Sequence, residues 1–165
     1  MFITNHALAG ALIGLVVPHP GAAFVAGLAS HVAMDRVLHW GDERVGWDDF
    51  VRVARVDGTV GLGVSGLALA AAVPALARPS VAAGIAGACL IDMDKPGRHF
   101  LGRSPFPAAV DRFHSRIQNE RPIGLVVEAL AAAGLATALV ALRRRRRRAA
   151  TPPGRVAGVG ADPAG

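Results

Sequence analysis

The sequence predicts an all-α integral membrane protein, a helical bundle of four to five transmembrane helices. Of its 165 residues, 52% are hydrophobic, and the mean hydropathy is +0.40, which is too apolar for an ordinary soluble domain of this length. The apolar residues are mostly small, and the aromatic ones are limited to six Phe and two Trp, with no Tyr. Small side chains let helices pack closely in lipid, so the composition favours a membrane bundle over a soluble core.

The candidate transmembrane helices are five apolar segments, at residues 2–17, 22–38, 59–77, 81–93 and 122–142. The third is the clearest span, and the fifth is long enough to cross about 30 Å of hydrocarbon. The other three are near or below the usual ~20 residues, which indicates short or tilted helices. Polar stretches at 39–57 and 92–121 separate the helices, whereas residues 78–80 form only a turn.

Positive charge is concentrated after the fifth segment. Seventeen of the eighteen basic residues are Arg, and six of them form the run 143–148. Such a run beside an apolar helix is typical of a cytoplasmic anchor. Because no aromatic residues are interleaved with these arginines, we expect no nucleic-acid partner despite a pI near 11.3.

The chain is therefore expected to have two parts. Residues 1–142 form a helical membrane domain, and residues 143–165 form a basic, disordered tail that ends in a run rich in Gly, Pro and Ala. This organisation predicts a multi-pass protein of the cell membrane.

Alternation of the five segments predicts which ionisable residues share one membrane side. If every segment spans, the start of the first and the ends of the second and fourth lie on that side. His19, in the opposite turn, does not. The shared side collects His6, His31, Asp35, His39, Asp92, Asp94, His99 and His114.

His31 and Asp35 are four residues apart on the second segment, so a helix presents both on one face. His39 continues this stripe by one further turn. Imidazole and carboxylate ligands held by a rigid helix suit a divalent metal, in the first place zinc, with manganese and iron as alternatives. The pair could instead hydrogen-bond to each other or cap a helix end at the membrane interface. Ionisable groups inside a membrane helix are nevertheless functional candidates.

Asp92 and Asp94 stand where the fourth segment stops, and on an extended or turning backbone both point to the same side. They could bind or bridge metal ions, or they could form a solvated helix end that stops before Pro96. Carboxylates are disfavoured near the negative end of a helix dipole unless a cation compensates, and this favours a metal.

His114 supplies a further ligand or acid–base group, and the adjacent Ser115 is expected to contact a phosphate or another ligand rather than to act as a nucleophile. His6 precedes a small-residue face of Gly10 and Gly14, which is predicted to pack closely on a neighbouring helix. The predicted metal ligands are His6, His31, Asp35, Asp92, Asp94 and His114, with Asp94 and His114 as catalytic residues.

These elements together resemble the YdjM-like family of small inner-membrane proteins, described as membrane-bound metal-dependent hydrolases. The similar pieces are N-H-A-L-A-G at residues 5–10, S-H-V-A-M-D at 30–35, I-D-M-D at 91–94 and H-S at 114–115. The helix with S-H-x-x-x-D comes late in that family and second here, and Ile91 replaces a proline. The resemblance therefore implies a distant relative with a permuted motif order.

The expected function is that of a metal-binding membrane protein, a metal-dependent hydrolase acting on a lipid or phosphoester at the membrane surface. Arginines between residues 98 and 116 would attract an anionic substrate or a phospholipid head group. One alternative is a non-catalytic membrane scaffold whose polar cluster is structural. Another is a small transporter or proton relay, which predicts that Glu128 lines a cavity together with His31.

Overall fold

The computed structural model describes residues 1–41, 44–71 and 77–150, except the side chain of Ala150. These residues are mostly helical, which confirms the all-α class. The helices are α1 (Ile3–Val16), α2 (Pro20–Asp35), α3 (Trp47–Ala70), α4 (Arg78–Cys89), α5 (Asp94–Leu101), α6 (Ala108–Ile117) and α7 (Gly124–Ala150). A 3-10 turn at Ile91–Met93 joins α4 to α5, and two short strands, β1 (His39–Trp40) and β2 (Glu120–Arg121), pair in parallel.

Five of the helices, α1 to α4 and α7, form a bundle in which consecutive helices run in opposite directions. At one end, the last turn of α1, the last turn of α3 and the start of α4 meet α7 in an apolar cluster that includes Leu15, Ala68, Val81 and Leu139. The starts of α1, α3 and α7 and the ends of α2 and α4 therefore lie at the opposite end, which we call the polar end. This is the arrangement that the alternation of apolar segments predicts.

Glycines let α1 and α2 approach α4 backbone to backbone. A Cβ atom placed on Gly10 would overlap the backbone of Gly84, and one placed on Gly87 would overlap the backbone of Phe24. Gly14 likewise meets the first turn of α4. The predicted small-residue face of the first helix is therefore confirmed, and it brings the ends of α1, α2 and α4 together.

Two helices are long and apolar enough to cross a membrane: α3, and Gly124–Ala149 within α7. In the most apolar window of each, only 11% of the residues are buried, unlike a core helix of a soluble protein. Their outer faces expose large apolar side chains, such as Leu62 at 77% and Leu130 at 68%. The helices α1, α2 and α4 have 14, 16 and 12 residues. By length, two spans rather than the predicted four to five are therefore found among the described residues.

The third helix begins earlier than predicted, at Trp47 instead of residue 59, so much of the predicted polar stretch 39–57 is helical. Asp48 and Asp49 occupy its first turn, where carboxylates favour a helix N-terminus. The helix ends at Ala70, and residues 72–76 of the predicted segment lie outside the described part of the chain.

Helix α2 ends at Asp35, so the prediction that His39 continues its stripe is wrong, and His39 lies in β1 instead. Helix α4 ends at Cys89, before Pro96, but a further helix, α5, begins at Asp94 and contains Pro96. Pro96 is the third residue of α5, where its missing N–H is tolerated because the first turn has no internal partner for it. Asp94 therefore lies at the favourable N-terminal end of α5 rather than only after α4.

Helix α7 continues through the arginine run to Ala150. Arg is a good helix former, and cations are favoured at a helix C-terminus. The prediction of disorder from residue 143 is therefore wrong for residues 143–150, and residues 151–165 lie outside the described part of the chain.

Replacing Gly84 tests the close packing of α1 on α4. In Gly84→Ala the new methyl group meets backbone atoms of α1, and overpacking of this kind costs about 1–3 kcal/mol. We expect a lower melting temperature in detergent, measured by circular dichroism. Gly63→Ala is the matched control, because nothing lies within 4 Å of its Cβ position. Equal melting temperatures for the two variants would contradict the packing described here.

Candidate metal centre

The polar end of the bundle brings together all six residues that the sequence predicts as metal ligands. They come from α1, the last turns of α2, the turn after α4, and the helices α5 and α6. All are buried except Asp94, whose side chain is 14% exposed. The cluster consists of His6, His31, Asp35, Asp92, Asp94 and His114, and we call it the His–Asp cluster.

Asp35 lies at the middle of this cluster, and its two oxygens face different partners. Its Oδ2 lies 3.0 Å from Nε2 of His31 and 3.3 Å from Nε2 of His114. Its Oδ1 lies 3.1 Å from Nε2 of His6 and 2.7 Å from the amino group of Met1. One carboxylate therefore joins side chains from α1, α2 and α6.

Asp92 joins the cluster from the other side. Its Oδ2 lies 3.7 Å from Nε2 of His6, and its Oδ1 lies 3.7 Å from Nε2 of His114. Oδ1 also accepts a hydrogen bond of 2.7 Å from the ammonium of Lys95. Asp92 thus faces both His6 and His114 across the same space as Asp35.

The spacing of these atoms fits a metal ion. Ligand atoms about 2.0–2.1 Å from one tetrahedral zinc ion lie about 3.3–3.4 Å apart. In the set His31, Asp35 and His114, the three interatomic distances are 3.0, 3.3 and 3.4 Å. Two further sets, His6 with His31 and Asp92, and Asp92 with Asp94 and His114, also bring one ligand atom from each residue within 4.8 Å of the others. These buried His and Asp groups could therefore hold a metal ion.

Hydrogen bonding of His31 points its free nitrogen into the cluster. The oxygen of Ala88 lies 2.8 Å from Nδ1 of His31, so Nδ1 is the donor. In the neutral ring, Nε2 then carries a lone pair that faces the Asp35 carboxylate and Nε2 of His114. Acceptors facing one another at 3.0–3.4 Å repel unless a proton or a cation lies between them.

Two carboxylate oxygens of the cluster support the same conclusion. Oδ2 of Asp92 and Oδ1 of Asp94 are buried and have no hydrogen-bond partner among the described residues. Nδ1 of His6 is also buried without a hydrogen-bond partner among the described residues. Buried polar atoms normally find a partner, and buried charges are normally paired or bound to metal. A cation between these groups would satisfy both carboxylate oxygens.

Neighbouring charges shift the pKa values of Asp92 and Lys95. Burial alone would raise the pKa of Asp92, but Lys95 and the nearby His6 and His31 outweigh it and hold that pKa at about 2. Burial alone would lower the pKa of Lys95, but Asp92 outweighs it and raises the pKa above its usual range. Asp92 is therefore a carboxylate, and Lys95 an ammonium, at any physiological pH.

His114 is shifted upward by its carboxylate neighbours. Burial would lower its pKa, but hydrogen bonds with Asp35 and Asp94 and the charge of Asp92 outweigh it and raise the pKa to about 9. Nδ1 of His114 lies 3.4 Å from Oδ2 of Asp94. A carboxylate in this position fixes the ring and leaves Nε2 to face the cluster, as outer carboxylates do for metal-bound histidines.

Gln118 is a cluster residue that the sequence did not single out. Its amide nitrogen lies 2.8 Å from Oδ2 of Asp35 and 2.7 Å from Nε2 of His114. Its carbonyl oxygen lies 2.8 Å from Nε2 of His39, which is itself buried. The signal available in the sequence was its position four residues after His114, directly after the end of α6.

The first turn of α1, which positions His6, is bound by carboxylates of the two candidate membrane spans. Asp57 of α3 accepts hydrogen bonds from the backbone N–H groups of Ile3, at 2.6 Å, and Thr4, at 3.1 Å. Glu128 of α7 accepts from the N–H of Phe2 at 3.0 Å and from the Asn5 side chain at 2.7 Å. Carboxylates are favourable at a helix N-terminus, so both acids hold α1 in place.

Other polar candidates lie apart from the cluster. The His99 ring contacts Trp47 and Phe100, and the Ser115 hydroxyl donates to the backbone oxygen of Asp111. Arg98 pairs with Asp111 at 2.7 Å instead of facing the cluster. Lys95 is therefore the basic side chain that contacts a cluster carboxylate among the described residues.

Comparison of the chain with models of protein families, with curated proteins and with solved structures gives no match. The similarity to the YdjM-like family stays a prediction. What the His–Asp cluster does must therefore be inferred from its own residues.

Metal binding to the detergent-purified protein is the first test. We expect Zn²⁺ to bind to the wild type. In His31→Ala we expect the Zn²⁺ affinity to fall by more than about 100-fold, the upper range for removal of an outer partner. His19→Asn is the control, because it removes an imidazole at the opposite end of the bundle and keeps a residue suited to cap α2. Isothermal titration calorimetry measures all three proteins. Binding of equal affinity in wild type and His31→Ala would place the metal elsewhere.

Gln118 offers a graded test of the same centre. Gln118→Ala keeps every predicted ligand but removes the amide that contacts both Asp35 and His114. We expect its Zn²⁺ affinity to fall by about 10–100-fold, the usual effect of losing an outer partner. An affinity equal to that of the wild type would show that Gln118 does not orient the ligands.

Proposed function

We propose that the chain is a metal-dependent hydrolase of the cell membrane that acts on a lipid or phosphoester at the membrane surface. The observation that carries this proposal is the convergence of three His and three Asp side chains, all but Asp94 buried, at one end of the bundle, with two carboxylate oxygens that have no hydrogen-bond partner among the described residues. Burying this many ionisable groups is unfavourable unless they are paired and hydrogen-bonded or bind a cation. Perturbed, clustered ionisable groups are typical of catalytic centres.

In this proposal His6, His31, Asp35 and Asp92 hold one or two divalent ions, and Asp94 and His114 lie beside them as acid–base groups. Zinc is our first choice because imidazole and carboxylate are its common ligands, and manganese and iron are alternatives. When bound, such an ion supplies a water nucleophile at neutral pH and polarises the scissile phosphoryl or acyl group.

The protein's own residues supply binding, orientation and proton transfer. Asp94 fixes the His114 ring through Nδ1, and this pair is suited to hold or move the proton that the leaving-group oxygen requires. The ammonium of Lys95 places a positive charge beside Asp92, where it can stabilise negative charge that develops on the substrate. Arg98, one of the arginines to which the sequence gave this role, is paired with Asp111, which lies outside the cluster.

Two features of the bundle support the proposed membrane location. The spans α3 and α7 expose apolar faces, and α1, α2 and α4 complete a bundle of five helices between them. Helices of 12 to 16 residues can cross a locally thinned bilayer or end in a recessed polar site. The proposal is therefore a multi-pass protein, in a bacterial inner membrane by the YdjM-like resemblance, whose cluster lies recessed at one membrane surface.

The alternatives differ in how well they fit. A structural polar cluster is favoured by one observation, since Asp35 already accepts hydrogen bonds from the Met1 amino group and from Gln118.

The transporter requires that Glu128 and His31 line one cavity. Glu128 lines a cavity of about 500 Å³ with residues of α1, α3 and α7, and His31 is not among them. The transporter is therefore the less supported alternative.

Hydrolysis of a chromogenic nitrophenyl phosphodiester by the detergent-purified protein with Zn²⁺ or Mn²⁺ tests the proposal. We expect chelation to abolish the activity and His114→Ala to lower it by at least about 100-fold, the range of acid–base groups. Ser115→Ala is the matched control, because the neighbouring hydroxyl only donates to the Asp111 backbone. An activity that survives chelation, or that Ser115→Ala abolishes equally, would contradict the proposed centre.

A further inference from the structure

A second feature of the polar end is a cavity of about 610 Å³ between α3, the start of α1, and the residues that follow α4. Its volume lies in the range of pockets that bind small ligands. Along α3 it extends from Trp47 to Ser65, eighteen residues, or about 27 Å at the rise of a helix. It is therefore long and narrow rather than round.

One end of this cavity reaches the His–Asp cluster. Asp92 lines it, and the same carboxylate lies 3.7 Å from His6 and 3.7 Å from His114. Lys95 lines it as well and is 2.7 Å from Asp92. A ligand in the cavity would therefore meet an ammonium and a cluster carboxylate at this end.

The remaining wall is mostly apolar. Farther from the polar end the wall includes Leu62 of α3 and Ile85 of α4. Nearer the polar end it includes Phe50 and Trp47. Asp57 also lines the cavity, but its carboxylate is engaged by the N–H groups of Ile3 and Thr4. An apolar chain fits this wall, whereas a water-soluble phosphoester would leave most of it uncovered.

The cavity also borders the surface that faces lipid. Leu62 is 77% exposed and lies on α3, one of the two helices that are long and apolar enough to span a membrane. A chain can therefore enter beside α3 directly from the bilayer. Arg55, exposed on the same helix, adds a second positive charge to the lining.

We propose that this cavity binds the acyl chain of an anionic membrane lipid and places its phosphate at the Lys95 end, beside the cluster. As a substrate site it rests on the proposed hydrolase, and it specifies the substrate as a lipid rather than a soluble phosphoester. Lys95 and Arg55 provide contacts for a negative head group, the exposed carboxylate of Glu120 lies in the same lining, and the wall along α3 accommodates a long chain.

Gly58 provides a way to fill the cavity without disturbing the fold. It lines the cavity, and nothing lies within 4 Å of its Cβ position. Gly58→Leu therefore projects a side chain into the space that the acyl chain would occupy. Gly66→Leu, on the same helix and equally open at its Cβ position, does not line the cavity and is the matched control.

Tryptophan fluorescence reports occupancy, because both tryptophans of the chain, Trp40 and Trp47, line the cavity. The probe is a single-chain alkyl phosphate with a bromine on its chain, added to the protein in a non-ionic detergent. We expect saturable quenching whose apparent Kd rises about tenfold in Gly58→Leu and is unchanged in Gly66→Leu. Non-saturable quenching, or the same Kd in both leucine variants, would overturn the acyl-chain site.

Hydrolysis separates this inference from the proposed function. We expect Gly58→Leu to slow hydrolysis of a long-chain phosphodiester about tenfold and to leave that of the nitrophenyl phosphodiester unchanged. If the wild type hydrolyses neither compound but shows saturable quenching, the hydrolase fails and the lipid site stands. If Gly58→Leu and Gly66→Leu hydrolyse both compounds at equal rates, the hydrolase stands and the lipid substrate site fails.

Discussion

The carboxylate of Asp35 is the interaction on which the polar end of this bundle depends. It is fully buried at the last residue of α2 and contacts imidazoles from α1, α2 and α6. A buried carboxylate is unfavourable without partners, and removal of one partner from such a group is strongly destabilising. The start of α1, the end of α2 and α6 are therefore coupled through one side chain, and the same side chain borders the space in which a cation fits.

Close helix packing makes this convergence possible. The glycines of α1, α2 and α4 bring backbones into contact, so side chains at the ends of these helices meet within a few ångströms. Asp57 and Glu128 then hold the first turn of α1 from two longer helices, which fixes His6 against Asp35. Long helices with exposed apolar faces, small-residue packing and a buried polar centre thus depend on one another, and a cavity beside α3 connects the centre to that apolar surface.

Much of the candidate site could be predicted from the sequence, because its signals are local or topological. The spacing of His31 and Asp35 places both on one helix face, and alternation of apolar segments brings His6, Asp92 and His114 to the same end. Elements with weaker local signals were missed. The start of α3 contains charged residues that resemble a loop, and Pro96 resembles a helix stop although it lies in a first turn. Gln118 was not recognised because its role depends on contacts with residues 79 or more positions away.

We infer that imidazoles and carboxylates of this cluster together form one metal-binding site. X-ray absorption spectroscopy of the Zn²⁺-loaded, detergent-purified protein tests it most directly, because it identifies the ligand atoms and their distances. We expect nitrogen and oxygen ligands at about 2.0–2.2 Å, with multiple-scattering features from at least two imidazoles. A spectrum with water oxygens only, or with a sulfur ligand from Cys89, would contradict it.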